Sequence, residues 1–173
     1  ANTGPQLETK TWPEIVKWKR LGLTPHWFKI TSGRGSMRMI HRNDSDAQPW
    51  RLDAMQWQEN RADAFTGQHA PMSTSFYVFA EASGIPKVIV EASEAGLMSG
   101  EQMLFMFGNG RRNSGPFFES HNRRRDRFHI RMQVDGRTAR MTNHDTIEKD
   151  IKEFGLDSDR IRIEVLGQFP NQS

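Results

Sequence analysis

Apolar positions along this chain fall into short runs, some with helical spacing and some with the alternation of a strand. Helices are predicted at 9–21, 85–97, 114–122 and 143–154. Strands are predicted at 27–31, 50–57, 75–80, 102–107, 128–134 and 161–166. The polar, glycine-containing stretch 32–49 is predicted to be an exposed loop. Strands that alternate with helices predict a single α/β domain over 1–173, layered, with a largely parallel sheet flanked by helices.

Capping residues mark the ends of two of these helices. Thr11 is predicted to cap the first helix, because a threonine hydroxyl can accept a hydrogen bond from a free backbone N–H of the first turn. Asn143 or Thr142 should cap the last helix in the same way. Gly155 should end that helix, since glycine adopts the left-handed conformation that often follows a last turn.

The composition of the chain argues against several kinds of protein and of binding site. The chain has no cysteine, which excludes a disulfide framework and a thiolate metal site. Its six histidines lack the close spacing of metal ligands, so no metal site is predicted. No apolar run approaches the roughly 20 residues of a membrane span, and the N-terminal residues lack the apolar segment of a signal peptide. A cytoplasmic protein without membrane contact is therefore expected.

The predicted strand at 75–80 leads directly into an acidic residue, Glu81. A buried parallel strand delivers such a carboxylate to the carboxyl edge of an α/β sheet, where ligands bind. Phosphate-hydrolysing ATPases carry two acids there, an aspartate for Mg²⁺ and a glutamate that positions the attacking water. This chain has Ala80 in place of the first acid. Glu81 is therefore either the base of an altered ATPase or an ordinary carboxylate at a strand end.

The next apolar strand ends at Gly108 and Asn109. An asparagine beside an acidic strand can hydrogen-bond a γ-phosphate or a lytic water, although strand-Gly-Asn is also common in simple turns. Arg112 lies on the following loop, before a helix start that could attract an anion. The phosphate-loop pattern Gly-x-x-x-x-Gly-Lys-Ser/Thr does not occur, and the glycine-rich stretch 32–36 lacks its lysine and is interpreted as a flexible loop.

A basic stretch between 111 and 140 contains nine arginines and three acidic residues. Arginine favours bidentate contact with phosphate. The candidate nucleic-acid contacts are Arg111, Arg123, Arg124, Arg125, Arg127 and Arg131. The stretch is either a polyanion-binding face or a solvated helix end and turn. The five tryptophans are expected in the core rather than in a platform that stacks bases: Trp12, Trp18, Trp27, Trp50 and Trp57.

Taken together, these segments resemble the ATPase domain of the large terminase subunit of tailed phages, the motor that packages DNA into capsids. Residues 80–86 are similar to the family's Asp-Glu-Ala-Ser-Gly-Ile-Pro, and residues 107–115 to its Gly-Asn-Pro-Thr-Arg-Asn-Ser-Gly coupling motif. Residues 1–18, 50–69 and 157–170 are similar to other parts of that domain, in the same order. The resemblance implies a truncated terminase ATPase core over nearly the whole chain.

The resemblance also implies roles for the candidate residues. Glu81 matches the family's catalytic glutamate, while Asn109 and Arg112 match the asparagine and arginine of the coupling motif. Ala80 stands where the family has its Mg²⁺-binding aspartate, and residues 110–111 replace a proline and a threonine. The family's phosphate loop would lie before residue 1 and its nuclease domain after about residue 170. ATP and Mg²⁺ are implied as cofactors by the resemblance alone.

These substitutions predict a chain that does not hydrolyse ATP by itself, because positioning and electrostatics are nearly all that a protein supplies in phosphoryl transfer. Three functions remain open. The chain could be part of a DNA-packaging motor, with DNA, the portal and the small terminase subunit as partners in the host cytoplasm. It could be a terminase-derived protein that binds DNA or RNA or interferes with another motor. It could also be a scaffold, since a missing central strand would leave an apolar edge that favours self-association.

Overall fold

The computed structural model describes residues 3–33, 36–43, 50–66, 74–97 and 101–171. The α-helices are α1 (Gly4–Gln6), α2 (Trp12–Leu21), α3 (Lys87–Gly96), α4 (Gly115–His121), α5 (His144–Phe154) and α6 (Asp159–Glu164). The strands are β1 (Phe28–Gly33), β2 (Ser36–His41), β3 (Arg51–Asp53), β4 (Thr74–Ala80) and β5 (Glu101–Phe107). Short 3-10 helices lie at Glu59–Phe65, Ala82–Gly84 and Arg125–Arg127. Within these ranges, no helix has the length and apolar character needed to cross a membrane.

The N-terminal helix begins at Gly4 and therefore earlier than predicted. A π-helical turn, Leu7–Thr11, joins α1 to α2 without a break. Thr3 is the cap, because its hydroxyl accepts a hydrogen bond of 3.2 Å from the backbone N–H of Gln6. The prediction that Thr11 caps the helix is wrong, since Thr11 has helical backbone angles and makes no capping hydrogen bond. Its position inside the helix removes the free N–H groups that a cap would satisfy.

The first sheet is antiparallel, with the strand order β1-β2-β3. Strand β1 confirms the strand predicted at 27–31, and β3 lies inside the run predicted at 50–57. The indole N–H of Trp12 donates a hydrogen bond of 3.1 Å to the hydroxyl of Ser32, which ties α2 to β1. Trp12 is buried, so this bond satisfies a polar atom that would otherwise be costly to remove from water.

Strand β2 lies within the stretch predicted as a loop, 32–49, and corrects that prediction. Met37 and Met39 alternate with more polar residues and are half-buried, which is the pattern of a strand with one covered face. The pattern is easily missed because the flanking residues are polar and rich in glycine. The parts of the predicted loop at 34–35 and 44–49 lie outside the described residues.

The second sheet consists of two parallel strands, β4 and β5, which confirm the strands predicted at 75–80 and 102–107. Helices α3 and α4 also confirm predicted helices, and both pack with one face of this pair around the core. The buried core consists of Phe65, Tyr77, Phe79, Ala82, Ile85, Ile89, Val90 and Phe117. The Tyr77 hydroxyl donates a hydrogen bond of 2.7 Å to the carbonyl of Phe65. Burial raises the pKa of Tyr77, so the hydroxyl keeps the proton that it donates.

The opposite face of the parallel pair is apolar and exposed. It carries five side chains with exposed fractions between 37% and 60%, and we call them the open sheet face: Phe76, Val78, Met103, Phe105 and Phe107. The rings of Phe76 and Phe105 stack with centroids 6.2 Å apart, and those of Phe105 and Phe107 with centroids 6.3 Å apart. Parallel sheets are ordinarily covered on both faces. A contiguous apolar surface of this kind is a candidate site of interaction.

The architecture is α/β, as predicted, and combines a small parallel sheet, an antiparallel sheet and helices. Among the described strands, parallel pairing is confined to β4 and β5, which is less than the largely parallel sheet predicted. Two further strands were needed for that sheet, at 128–134 and 161–166. Neither of them forms.

Residues 161–164 form the end of helix α6, and residues 165–166 follow it in a turn, so the predicted strand is wrong. Ser158 caps α6, since its hydroxyl accepts a hydrogen bond from the N–H of Ile161 at 3.4 Å. Ile161 and Val165 are four residues apart and therefore share one helix face, which packs with Leu166 against α5. The alternation of Ile161 and Ile163 with charged residues fits a strand as well as a helix, and the Ser158 cap favours the helix.

Helix α5 confirms the helix predicted at 143–154. The Asn143 side chain accepts a hydrogen bond of 3.1 Å from the N–H of Thr146, so Asn143 rather than Thr142 is the cap. Gly155 ends the helix with φ of 81°, a conformation that glycine adopts without a steric penalty.

The stretch 128–134 pairs with no strand in the described part of the chain, so the strand predicted there is wrong. Instead, the Gln133 side chain donates a hydrogen bond of 2.9 Å to the carbonyl of Leu166. The N–H of Gly136 donates one of 2.6 Å to the carbonyl of Val165. These bonds attach residues 133–136 to Val165 and Leu166, just after α6, rather than to a neighbouring strand.

Candidate functional site

The carboxyl ends of β4 and β5 meet at one edge because the two strands are parallel neighbours. Ala80 is paired in register with Phe107, the last residue of β5. Glu81 follows the first of these residues, and Gly108 and Asn109 follow the second. The structure therefore brings the acidic loop and the asparagine loop to the same edge of the sheet, and we call this region the strand-end site.

Glu81 has a left-handed backbone conformation, with φ of 57° and ψ of 44°. In the described part of the chain, it is the only residue other than glycine with a positive φ. Its carbonyl accepts a hydrogen bond of 3.1 Å from the N–H of Gly84, which closes the turn after β4, and the residue is exposed. Unfavourable backbone conformations persist only where the surrounding structure fixes them, and they are common at functional sites. The backbone of Glu81 is thus fixed at the sheet edge, and its side chain is exposed to solvent.

The two loops of the strand-end site touch through their backbones. A Cβ atom on Gly108 would lie 2.9 Å from the backbone nitrogen of Ala82, so no larger residue fits without a shift. The N–H of Arg111 donates a hydrogen bond of 3.1 Å to the hydroxyl of Ser83. The close approach and the hydrogen bond fix the position of Asn109 relative to Glu81. Sequence reasoning did not assign Ser83 or Gly108 this role, and only the pairing of the loops reveals it.

The asparagine loop is also anchored to the C-terminal segment. Gly110 is buried, and a Cβ atom there would lie 2.6 Å from the ring of Phe169. The Asn113 side chain donates a hydrogen bond of 2.8 Å to the carbonyl of Pro170. The glycine at 110 is therefore required by the approach of an aromatic ring. Nothing in the local sequence signals this contact, because the two segments are far apart along the chain.

Arg111 and Arg112 are exposed on the loop that precedes α4. Neither has an ion-pair partner among the described residues. Ser114 lies at the cap position of α4 but makes no capping hydrogen bond. The loop thus adds two free positive charges next to the strand-end site, where they are available to a phosphate or another anion.

The predicted arginine contacts divide into exposed and engaged side chains. Arg123 pairs with Glu119 at 3.1 Å, and Arg125 lies 3.7 Å from Asp126, but both guanidinium groups are largely exposed. Arg127 is exposed and has no ion pair within the described ranges. Arg131 donates to the carbonyl of Phe128 at 2.8 Å and also to that of Arg125. Its guanidinium group is therefore partly used to hold its own turn.

Arg124 differs from its neighbours because it is engaged inside the structure. Its terminal nitrogen donates hydrogen bonds of 2.7 Å and 2.8 Å to the two carboxylate oxygens of Glu94. Both side chains are mostly buried, with exposed fractions of 15% and 20%. The pair links the turn after α4 to α3. The sequence places Arg124 among the nucleic-acid contacts, and this geometry gives it a structural role.

The described residues of the strand-end site do not fit a Mg²⁺ ion. Ala80 offers a methyl group where the resemblance calls for a carboxylate. Within the described ranges, no group of three or more histidine and acidic side chains is placed to hold a metal ion. Glu81 alone supplies a carboxylate that can accept a hydrogen bond from water. The strand-end site can therefore orient a polar group through Glu81 and an anionic group through Arg111 and Arg112.

Two clefts in the described structure lie away from this edge. One, of about 690 Å³, lies between α2 and the antiparallel sheet and includes Trp12 and Met37 in its wall. The other, of about 420 Å³, lies at one end of the antiparallel sheet. The strand-end site differs from both in that it is defined by two touching loops.

Comparisons of this chain with protein-family models, with curated proteins and with solved structures found no match.

Proposed function

We propose that this chain is a terminase-like ATPase core of a viral DNA-packaging motor and is catalytically inactive on its own. The observation that carries the proposal is the side-by-side placement of the loops that bear Glu81 and Asn109. In the family resembled, an acidic strand and a coupling strand carry these two residue types. The left-handed backbone of Glu81 supports the proposal, because it holds the carboxylate at the edge where such sheets bind ligands.

In this proposal, Glu81 is a vestigial water-positioning base, and Asn109 and Arg112 are the groups that would contact the terminal phosphate. ATP and Mg²⁺ enter only through the family resemblance. The portal, the small terminase subunit and DNA are the proposed partners, in the cytoplasm of the host. The exposed side chains of Arg111 and Arg112 support an anionic partner next to this edge.

We expect the isolated chain to release no phosphate from ATP above background, with Mg²⁺ present. Ala80 cannot orient a metal, and the 173 residues contain no phosphate-loop sequence. Ala80→Asp alone should not restore turnover, since the phosphates would still lack their cradle. The measurement is phosphate release by the wild type and by Glu81→Gln, with Glu91→Gln as a control for an exposed glutamate on α3. Turnover that Glu81→Gln abolishes and Glu91→Gln preserves would contradict the proposal.

A second candidate function is favoured by the exposed arginines. The chain could be a terminase-derived protein that binds DNA or RNA without ATPase activity. Arg123, Arg125 and Arg127 are exposed on one short turn after α4, and Arg111 and Arg112 are exposed on the preceding loop. Exposed guanidinium groups that are close in sequence provide the electrostatic footprint of phosphate contact.

The test of this second candidate is a salt titration of duplex DNA binding, followed by fluorescence anisotropy. Each phosphate neutralised contributes about 0.9 to the slope of log affinity against log salt, so replacing Arg123, Arg125 and Arg127 by alanine should reduce the slope by up to about 2.7. Arg124 stays unchanged in this variant because it is engaged with Glu94. The matched control removes three exposed arginines from other elements: Arg20, Arg61 and Arg160. Equal loss of affinity in both triple variants would show that binding depends on the total charge of the chain, and would contradict a DNA-binding site at the turn after α4.

A further inference from the structure

The antiparallel sheet carries an aromatic cluster that the sequence did not reveal. Trp27 is 44% exposed and Trp50 is 64% exposed, which is contrary to the expectation that the tryptophans lie in the core. Both rings lie against His41, with ring centroids 6.2 Å and 5.4 Å from its own. Phe28 adds a fourth ring, 5.5 Å from His41. We call Trp27, His41 and Trp50 the aromatic platform.

The sheet itself fixes the position of this platform. The N–H of His41 donates a hydrogen bond of 2.9 Å to the carbonyl of Trp50. The N–H of Arg42 donates one of 2.7 Å to the carbonyl of Trp27. The end of the central strand β2 is thus bonded on both sides to a residue that carries an exposed indole. The backbone at both tryptophans is therefore fixed, which reduces the conformational freedom that is lost when a ligand stacks on the rings.

The described residues around the platform carry more basic than acidic side chains. The described part of this sheet and its ends, 26–33, 36–43 and 50–53, contains four cationic side chains: Lys29, Arg38, Arg42 and Arg51. Asp53 is the acidic residue in these ranges, and it pairs with Arg38 and Arg51. Arg42 has no ion pair within the described ranges and is exposed. A cation next to exposed rings suits an anionic ligand with an aromatic part.

A shallow cleft contains two of the platform rings, those of Trp27 and His41, together with Arg42. It has a volume of about 420 Å³ and is lined by His26, Trp27, His41, Arg42 and Asn43. The N–H of Asn43 donates to the Nδ1 atom of His41 at 3.3 Å, so in the neutral ring the proton lies on Nε2. The cleft therefore presents ring faces, an imidazole donor and a guanidinium group within one surface.

We propose that the aromatic platform stacks the bases of single-stranded nucleic acid, with Arg42 beside it for the phosphate. Exposed aromatic rings in a cationic surface are the recurring arrangement for unpaired strands, because every base has a face that can stack and only an unpaired base exposes it. The site is distinct from the arginine turn after α4, which can contact phosphate in a duplex. It does not depend on the proposed ATPase ancestry.

The test uses a fluorescein-labelled oligomer of 12 deoxythymidines and the full chain, at low salt. Loss of one stacking ring by Trp50→Ala or Trp27→Ala should weaken binding roughly tenfold. The salt slope should stay unchanged, because no charge is removed. The matched control is Trp18→Ala, which removes a tryptophan with the same 64% exposure from α2. Trp18→Ala should bind the oligomer as the wild type does.

Further measurements keep the test decisive if an alanine variant is unstable. Trp50→Phe retains a ring and should keep most of the affinity. In the wild type, the oligomer should quench part of the intrinsic tryptophan fluorescence, and Trp18→Ala should retain that quenching. Wild-type affinity in both platform variants, or absence of quenching by a bound oligomer, would overturn the proposal. Duplex binding is measured in a separate experiment. If the arginine variants do not change the salt slope for the duplex, the proposal for the aromatic platform is unaffected. If the platform variants do not weaken binding of the oligomer, the proposal for the arginine turn is unaffected.

Discussion

Glu94→Leu is expected to lower the free energy of unfolding by about 3 kcal/mol, the lower end of the range for removing one partner of a buried ion pair. The substitution leaves the Arg124 guanidinium mostly buried without the two oxygens that now accept its hydrogen bonds. It also releases the turn after α4 from α3. Chemical denaturation of the two proteins, with equal slopes against denaturant, measures the difference.

A second substitution, at Arg124, separates two contributions to the free energy of unfolding: the penalty for an unpaired buried charge and the stabilisation by the ion pair. Glu94→Leu combined with Arg124→Met replaces both groups by apolar side chains of similar length and should recover most of the loss. The control is Arg123→Ala, whose guanidinium is 76% exposed in its pair with Glu119. That change should stay within about 0.5 kcal/mol, as for exposed pairs in general. A double variant as unstable as Glu94→Leu would show that packing, and not the charge, is responsible.

The chain is expected to self-associate through the open sheet face, and Phe105→Lys is expected to convert it to a monomer. Phe105 lies in the centre of this face, paired in register with Val78 and stacked between two phenylalanine rings. A lysine there would place a charge in the middle of an apolar contact, where desolvation is costly. Size-exclusion chromatography with light scattering, over a range of concentrations, measures the molar mass of both proteins.

The size of this face supports a contact between two copies. Five side chains of roughly 200 Å² each, about half exposed, present roughly 500 Å² of apolar surface. Two copies packed face to face would bury about 1,000 Å² in total, which is the lower limit for a specific interface. The control is Met132→Lys, which adds the same charge to an exposed apolar residue outside the face. A wild type that is monomeric at high concentration would reject self-association through this surface.

The sequence predicted the elements whose signals agree with one another. The apolar run at 75–80 suits a strand, and Asn143 with Gly155 marks both ends of a helix. The prediction failed where the spacing of apolar residues fits two kinds of element. Ile161 and its neighbours suit a strand and a helix face equally well. It also failed for β2, whose methionines alternate inside a polar stretch.

The candidate site was predictable only in outline. Parallel strands bring their carboxyl ends together, so the meeting of Glu81 and Asn109 at one edge follows from their positions after two apolar runs. The left-handed backbone of Glu81 and the approach of Phe169 to Gly110 depend on tertiary contacts between distant segments. The exposure of Trp27 and Trp50 also depends on tertiary structure. Tryptophan is on average a highly buried residue, and the position of these two at the end of the sheet leaves their rings in solvent.

The contact between Gly108 and Ala82 has a consequence for the motions of the strand-end site. The two backbones approach so closely that a methyl group would not fit between them, and the hydrogen bond from Arg111 to Ser83 closes the same gap. Movement of either loop away from the other would break this contact and this hydrogen bond, so we expect the two loops to move together. We therefore expect the amide hydrogens of both loops to exchange with deuterium through one shared opening, and a ligand that protects the acidic loop to slow exchange in the asparagine loop as well.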